Sequence, residues 1–295
     1  MPEMFPQQRI ALPTGVELDV VVAGDPANPP VILLHGFPES HRTWRNQIPV
    51  LAERFFVLAP DQRGYAKSSK PDGVEAYAAA RIIGDLIALA DHFGIGRFTL
   101  VGHDWGGAVA WGAAITRPDR VERLVIINAP HPFVFQQTMF DDEDQRRASQ
   151  YIRAFRNPSL EAHIAKIGVE AYFDTTFVGH ADAAKFGPEK PIYVAQWSEP
   201  GALTAMFNWY RASQIVVPAM DEPLPERPAF LSAPFPPTQM PVLVIWGMAD
   251  TALRPSQIAG LAAHVPDLTL VEVDAGHFVP WEAPHEVNRA MLEWL

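Results

Sequence analysis

The stretch Gly102-His103-Asp104-Trp105-Gly106-Gly107 decides how the rest of the chain is interpreted. It follows residues 97–101, an apolar run typical of a buried strand, and it opens a helix-like segment. Glycines two residues before and after Asp104 match the sharp strand-to-helix turn that exposes a nucleophile at its apex. Small flanking residues permit so tight a turn, and the start of a helix favours an anion. The alternative is an aspartate that only caps an ordinary helix.

Segments with alternating strand-like and helix-like patterns surround this turn. Short apolar runs rich in β-branched residues predict strands at residues 16–23, 31–34, 55–59, 98–101 and 121–127. Helical patterns lie at residues 76–93 and 105–116. The alternation indicates βαβ units, and therefore an α/β fold with a mostly parallel central sheet flanked by helices.

The alternation breaks after Pro130. Residues 133–209 predict several helices, and residues 217–241 contain eight prolines, which favour an extended connector because proline ends helices. Strands return at 242–246 and 268–273, with helices at 256–264 and 284–295. We therefore expect a core formed by residues 1–130 and 238–295. Residues 131–237 would form a helical cap and a proline-rich connector over the carboxyl ends of the strands, where ligands bind.

Three further motifs follow predicted strands. His35-Gly36-Phe37-Pro38-Glu39 can offer the backbone N–H of Phe37 to a developing oxyanion, and Trp105 can offer a second N–H. Phe37–Pro38 is a candidate cis peptide. Ala275-Gly276-His277-Phe278 offers a general base in His277, and Trp246-Gly247-Met248-Ala249-Asp250 offers a carboxylate in Asp250 that would orient it. Asp250 could instead cap the next helix.

The order Asp104, Asp250, His277 is nucleophile, acid and histidine. Another position for the acid follows residue 127, but Asn128 stands there and cannot serve as an anion. Structural roles are expected for the remaining histidines near these motifs, which are His35, His103 and His131.

Charge and composition restrict the partners. The net charge of −11 would repel nucleic acid and anionic membranes. The absence of cysteine excludes disulfides, thiolate catalysis and cysteine-bound metals. No apolar stretch approaches the roughly 20 residues that span a bilayer, and the first residues do not resemble a signal peptide. We expect a cytoplasmic protein, and the sequence does not indicate an oligomeric state.

With these motifs, the chain resembles the epoxide hydrolases of the α/β-hydrolase superfamily over nearly its whole length. The resemblance extends to Asp61-Gln62-Arg63-Gly64-Tyr65 and Asn128-Ala129-Pro130-His131-Pro132. Asn208-Trp209-Tyr210-Arg211 is similar to the family's cap motif that carries an epoxide-binding tyrosine, and Ser149-Gln150-Tyr151 is similar to the site of its partner. Tyr172 is an alternative to Tyr151.

The resemblance implies that a small apolar epoxide and water react to give a vicinal diol, without a metal or organic cofactor. Attack by serine on an epoxide would give an ether, whereas attack by Asp104 gives an ester that water activated by His277 can cleave. Tyr210 and Tyr151 would protonate the opened ring. The candidates for an apolar pocket are Trp197, Phe207, Trp209 and Phe278.

Other enzymes share parts of this machinery. Haloalkane and haloacid dehalogenases use the same Asp–His–Asp triad, and the indole N–H of Trp105 would suit a halide. Haloalkane dehalogenases, however, usually carry a polar residue at the position of Phe37, and fluoroacetate dehalogenases carry arginines at those of Trp105 and Ala108. Asp104 argues against a serine esterase. A non-enzymatic binding protein on this fold is a further alternative, since fold alone does not give function. Such a protein would lack one of the catalytic residues, whereas Asp104, Asp250 and His277 are all present.

Overall fold

The computed structural model describes residues 5–177 and 187–295. Its centre is an eight-stranded sheet in the order β1-β2-β4-β3-β5-β6-β7-β8. The strands β1 and β2, and likewise β2 and β4, pair antiparallel, and the other neighbours are parallel. The strands are β1 (Gln7–Ala11), β2 (Glu17–Ala23), β3 (Pro30–Leu34), β4 (Phe56–Pro60), β5 (Phe98–His103), β6 (Val121–Ile127), β7 (Val242–Gly247) and β8 (Leu268–Val273).

Helices cover both faces of the sheet, and a group of them lies between β6 and β7 in the chain. The helices of the described ranges are α1 (Ile48–Leu51), α2 (Ala79–His92), α3 (Trp105–Thr116), α4 (Pro132–Asp141), α5 (Glu143–Ala148), α6 (Gln150–Phe155), α7 (Leu160–Ile167), α8 (Val169–Phe177), α9 (Lys190–Trp197), α10 (Ala202–Ala212), α11 (Val279–Glu282) and α12 (Pro284–Trp294). No helix in these ranges is long and apolar enough to cross a membrane.

Strand β3 shows why the central strands are apolar without interruption. Its side chains alternate between two cores, with Val31 and Leu33 in one and Ile32 and Leu34 in the other. Residues of α2 and α3 complete one core, and residues of α1 and α12 complete the other. Because helices bury both faces of the parallel sheet, neither face tolerates polar residues.

The predicted α/β fold with a mostly parallel sheet is confirmed, and strand β1 and residues 256–264 differ from prediction. Strand β1 was not predicted because Gln7-Gln8-Arg9-Ile10-Ala11 contains no apolar run, and only Ile10 of these five residues is buried. The helix predicted at residues 256–264 is wrong. Two short 3-10 turns, Pro255–Ile258 and Leu261–Ala263, stand there, and Gly260 between them has a φ of 81° that interrupts a helix.

His131, at the start of the inserted helices, is completely buried in an aromatic cluster. Its ring stacks on that of His264 with centroids 4.9 Å apart, and it meets Trp111 and Phe235 edge-on. Among the described residues, neither ring nitrogen of His131 has a hydrogen-bond partner. Burial, assisted by the nearby His264, lowers the pKa of His131 to about 3. Within the described ranges the neutral imidazole therefore has no acceptor for its N–H, and it serves the structure through ring packing rather than through hydrogen bonds.

Replacing this histidine by phenylalanine should stabilise the fold. The unfolded chain takes up a proton near the ordinary imidazole pKa of about 6.5, whereas the folded chain does so only near pH 3. Stability is therefore lost as the pH falls through that window. His131→Phe keeps the ring contacts, and we expect it to raise the free energy of unfolding by about 1 kcal/mol at neutral pH. The gain should be larger near pH 5, as measured by urea denaturation. An unchanged acid sensitivity would contradict this account.

Candidate active site

Asp104 lies at the sharp turn between β5 and α3. Its backbone has φ 50° and ψ −121°, an unfavourable conformation for a residue with a side chain. A Cβ added to Gly102 would lie 2.4 Å from the carbonyl oxygen of Gly106, and one added to Gly106 would lie 2.1 Å from that of Leu34. The flanking glycines are thus required by close backbone contacts, which hold the turn in this strained form.

The loop after β3 packs directly against the carboxylate of Asp104. The backbone N–H of Phe37 donates to Oδ1 of Asp104 at 2.7 Å. A Cβ on Gly36 would lie 2.5 Å from the same oxygen, so only glycine allows this approach. The Phe37–Pro38 peptide is cis, as predicted. The loop therefore brings the N–H of Phe37 to the position expected of an oxyanion donor.

His277 lies between two carboxylates. Its Nδ1 is 2.7 Å from Oδ2 of Asp250, and its Nε2 is 3.5 Å from Oδ2 of Asp104. Burial alone would lower the pKa of His277, but the charge of Asp250 and hydrogen bonding to Asp104 and Asp250 outweigh it and raise this pKa well above its ordinary value. In the free enzyme the imidazole is accordingly a cation between two anions.

Asp250 is held by more than His277. Its Oδ1 accepts the backbone N–H groups of Ala252 and Leu253 at 2.8 and 2.9 Å, and its Oδ2 accepts Nδ2 of Asn128 at 2.7 Å. Oδ1 of Asn128 accepts the N–H of Gly247 at 2.8 Å, which fixes the orientation of the amide. Burial opposes ionisation of Asp250, yet the charge of His277 and these bonds lower its pKa. The sequence analysis considered Asn128 only as a position that cannot hold the acid, and did not predict that its amide supports Asp250.

Two histidines expected to be structural lie beside the site. Burial lowers the pKa of both His35 and His103 to about 4, so both are neutral. In His35, Nδ1 donates to the carbonyl oxygen of Gly36 and Nε2 accepts the N–H of Gln62, each at 3.0 Å. In His103, Nε2 donates to the carbonyl oxygen of His277 at 2.9 Å. These bonds hold the loops that carry Phe37 and His277.

Glu39 is a second group that the sequence alone did not single out. Its side chain is buried, and Oε1 accepts the indole N–H of Trp281 at 2.9 Å and the hydroxyl of Tyr193 at 3.3 Å. Its Oε2 lies 3.7 Å from Nδ1 of His103. Burial raises the pKa of Glu39 to about 7, so this carboxyl is partly protonated near neutral pH.

Two cavities meet at Asp104, and both are also lined by Tyr151 and Tyr210. The first has a volume of about 490 Å³ and the second about 360 Å³. The two phenol rings approach edge-on, with centroids 6.1 Å apart. Burial, together with the charge of Asp104, raises the pKa of each phenol well above its ordinary value, so both keep their protons at neutral pH. A small apolar molecule in either cavity would lie between the carboxylate and these hydroxyls.

Tyr172 occupies a different position from Tyr151. It lines the second cavity, but its ring packs against Trp197 and Phe207 at 6.2 Å each. Burial raises the pKa of Tyr172 to about 12, while the charge of Glu161 adds to the rise. The charge of Asp104 contributes to the raised pKa of Tyr151, whereas the charge that contributes to the raised pKa of Tyr172 is that of Glu161.

The four predicted pocket residues divide into two pairs. Trp209 lines the first cavity and Phe278 lines the second. Trp197 and Phe207 line neither, so the expectation does not hold for them in these cavities. The indole of Trp197 points to the core loop and donates to the carbonyl oxygen of Pro38 at 2.9 Å. Phe207 is fully buried among other rings of the inserted helices.

Comparison with known proteins places this chain in a family. Residues 29–284 match the family model described as alpha/beta hydrolase fold. A Bacillus subtilis protein named AB hydrolase superfamily protein YfhM is 37% identical, with 95% of each chain covered. Epoxide hydrolase A of Mycobacterium tuberculosis is 32% identical, with 98% of this chain and 97% of that protein covered.

A solved structure agrees with these relatives. It is described as one of the novel epoxide hydrolases of the alpha/beta hydrolases superfamily in metagenomes from hot environments. It is 47% identical and superimposes with a TM-score of 0.91 over 98% of both chains. The chain therefore belongs to the epoxide hydrolases of the α/β-hydrolase superfamily.

Proposed function

We propose that this chain hydrolyses small apolar epoxides to vicinal diols, with Asp104 as the nucleophile. The observation that supports this most is the place of the Asp104 carboxylate, which lies between His277 and two cavities that Tyr151 and Tyr210 also line. Neutral phenols beside an anionic nucleophile suit the opening of a ring that leaves as a basic alkoxide.

Ring opening would begin at Oδ2 of Asp104, because Oδ1 already accepts the N–H of Phe37. Attack on an epoxide carbon forms the ester bond and breaks the ring C–O bond. Tyr210 and Tyr151 would bind the ring oxygen and one of them would give it a proton, which leaves an alcohol and a tyrosinate. The proton that His277 loses after ester formation restores the phenol. Trp105 supports this step, since its indole lies edge-on to the ring of Tyr210, with centroids 5.0 Å apart, and counteracts part of the rise in that phenol's pKa.

Hydrolysis of the ester would then use His277. Water attacks Cγ of Asp104 while Nε2 of His277 removes its proton, and negative charge builds up on Oδ1. The N–H of Phe37, with that of Trp105, would stabilise this oxyanion. Collapse of the intermediate expels the diol oxygen, which takes the proton from His277 and leaves Asp104 as a carboxylic acid with one oxygen from water. The acid then gives its proton to His277, which restores the carboxylate and the protonated imidazole.

Formation of the ester would itself prepare His277 for its role. In the free enzyme the hydrogen bond and the charge of Asp104 both help to raise the pKa of His277. The ester removes that charge, so the pKa of His277 falls towards its ordinary value. The imidazole can then lose its proton at neutral pH and act as a base, while Asp250 continues to orient it.

The dehalogenase alternative, which uses the same Asp–His–Asp triad, is not favoured. Halide is a weak base that needs hydrogen-bond donors but no proton, so the capacity of two phenols to give up a proton would have no use there. Epoxide hydrolase A of Mycobacterium tuberculosis and the 47% identical solved structure are both named epoxide hydrolases. We also propose residues 131–237 as the cap and connector that deliver the two tyrosines. A cytoplasmic location stays a prediction.

Removing the base should trap the ester. In His277→Ala, ring opening proceeds but hydrolysis lacks its base, so we expect a stable adduct on Asp104. Intact-protein mass spectrometry after incubation with styrene oxide should show a gain equal to the whole epoxide. Asp104→Asn serves as the control and should show no adduct. A gain equal to an alkyl group without its halogen, after incubation with a haloalkane in place of an epoxide, would support the dehalogenase instead.

Removing the phenols should block the first step. Tyr210→Phe should slow ring opening by about 100-fold, and the double variant with Tyr151→Phe should abolish it, because the alkoxide then has no proton source. Single-turnover formation of the ester measures this step directly. Tyr172→Phe is the matched control and should slow it by less than about 10-fold. If Tyr172→Phe slowed ester formation more than Tyr151→Phe does, Tyr172 and not Tyr151 would be the second proton donor.

Lowering the pH should cause the ester to accumulate. The protonated form of His277 cannot act as a base, so below its pKa in the ester form hydrolysis should slow by about 10-fold per pH unit. Ring opening needs no neutral imidazole and should slow less. The fraction of protein carrying the ester, measured by mass spectrometry on quenched steady-state samples, should therefore rise as the pH falls. A constant fraction between about pH 8 and pH 5 would argue against His277 as the base.

A further inference from the structure

An inserted helix holds the loop that carries the N–H donor of Phe37. The indole N–H of Trp197, the last residue of α9, donates to the carbonyl oxygen of Pro38 at 2.9 Å. Pro38 follows Phe37 directly, and both residues are buried. Proline has no N–H, so this carbonyl is the backbone polar group through which Pro38 can be held.

Two other contacts from the same helix reach the next residues of the loop. The hydroxyl of Tyr193 donates to Oε1 of Glu39 at 3.3 Å. Glu189, immediately before α9, accepts Nε and a terminal nitrogen of Arg42 at 2.5 and 2.9 Å in a buried bidentate pair. The helix therefore touches the loop at three nearby positions, and the contact to Pro38 is the nearest to the catalytic N–H.

A missing partner at Pro38 would disturb the position of this N–H. A buried carbonyl oxygen without a donor is costly, so the loop would be expected to shift until the oxygen finds water or another donor. Any rotation of the Phe37–Pro38 segment changes the direction of the N–H of Phe37, which now lies 2.7 Å from Oδ1 of Asp104. Stabilisation of an oxyanion depends on that direction.

The two chemical steps should respond differently to such a shift. During ring opening, negative charge leaves Asp104, so a bond to Oδ1 helps the starting state at least as much as the transition state. During ester hydrolysis, negative charge develops on Oδ1, so the same donor stabilises the transition state more than the starting state. A misplaced N–H of Phe37 therefore slows hydrolysis more than ring opening.

We propose that Trp197 is a positioning residue for ester hydrolysis, which it serves by fixing the oxyanion donor Phe37 through the carbonyl group of Pro38. This inference rests on the proposed function. The inserted helices would then take part in both chemical steps. Tyr210 and Tyr151 serve ring opening, and Trp197 serves the ester hydrolysis that follows.

The variant Trp197→Phe tests this directly. It keeps a ring against Phe173, whose centroid lies 5.0 Å from that of Trp197, and removes the donor. Loss of an oxyanion donor costs roughly 100- to 1000-fold, so its displacement should slow hydrolysis by about 10-fold. Ring opening should slow by less than about 3-fold. Rapid-quench mass spectrometry with styrene oxide gives both rate constants, and the fraction of ester at steady state should rise.

Trp209→Phe is the matched control. Trp209 also joins an inserted helix to the core, through an indole N–H that donates to the carbonyl oxygen of Arg63 at 3.1 Å. Trp209 lines the first cavity, so its replacement should change the rate of ring opening or KM. It should not raise the fraction of protein that carries the ester at steady state. If Trp197→Phe does not fold, Glu189→Gln weakens the pair with Arg42 at the start of the same helix, and it should shift the balance of the two steps in the same direction.

Two results would overturn the proposal. Equal losses in both steps would mean that Trp197 only supports packing, and a rise in KM alone would mean that it contacts the substrate. The His277→Ala experiment separates this inference from the proposed function. If an ester forms on Asp104 in that variant but Trp197→Phe leaves the ratio of the two rate constants unchanged, only the role of Trp197 is disproved. Absence of an ester in His277→Ala removes the function itself.

Discussion

The placement of one carboxylate, that of Asp104, governs the construction of this molecule. The residue adopts a positive φ of 50° that a side chain disfavours, and glycines on both sides make that conformation possible by allowing backbone contacts. The anion is stabilised by the N–H of Phe37, by the start of α3 and by the imidazole of His277. Each of these comes from a different strand end, so the parallel sheet serves to bring them to one point.

Charge balance explains the remaining polar groups of the site. His277 supplies one positive charge between the carboxylates of Asp104 and Asp250. A third carboxylate at position 128 would place a further negative charge beside Asp250, whereas the neutral amide of Asn128 donates a hydrogen bond to it. The amide thus stabilises an anion without adding to the repulsion in a buried site. Glu39 avoids the same repulsion in another way, because burial raises its pKa to about 7.

Periodicity and strand-end motifs predicted most of the fold and the grouping of Asp104, Asp250 and His277, whereas Tyr151 and Tyr210 were predicted from the resemblance to the family's cap motifs. Apolar runs locate the buried parallel strands because both faces are covered, and β1 escaped detection because residues 7–11 lack such a run. No comparable pattern in the sequence shows which way a buried side chain points where the inserted helices meet the core. A buried tryptophan can line a cavity, as Trp209 does, or hydrogen-bond a distant loop, as Trp197 does. The role of Asn128 likewise depends on a partner that is far away in the sequence.

The bond between Asn128 and Asp250 also has a consequence for folding kinetics. The two residues are 122 positions apart, and they meet only where β6 pairs with β7. All of the inserted helices lie between them, so a long segment must be closed into a loop before this pairing can form. Contacts of such long range slow the search for the native topology. Asp250, the proposed acid, is consequently held by a long-range contact, and recovery of activity during refolding reports on completion of the sheet rather than on early helix formation.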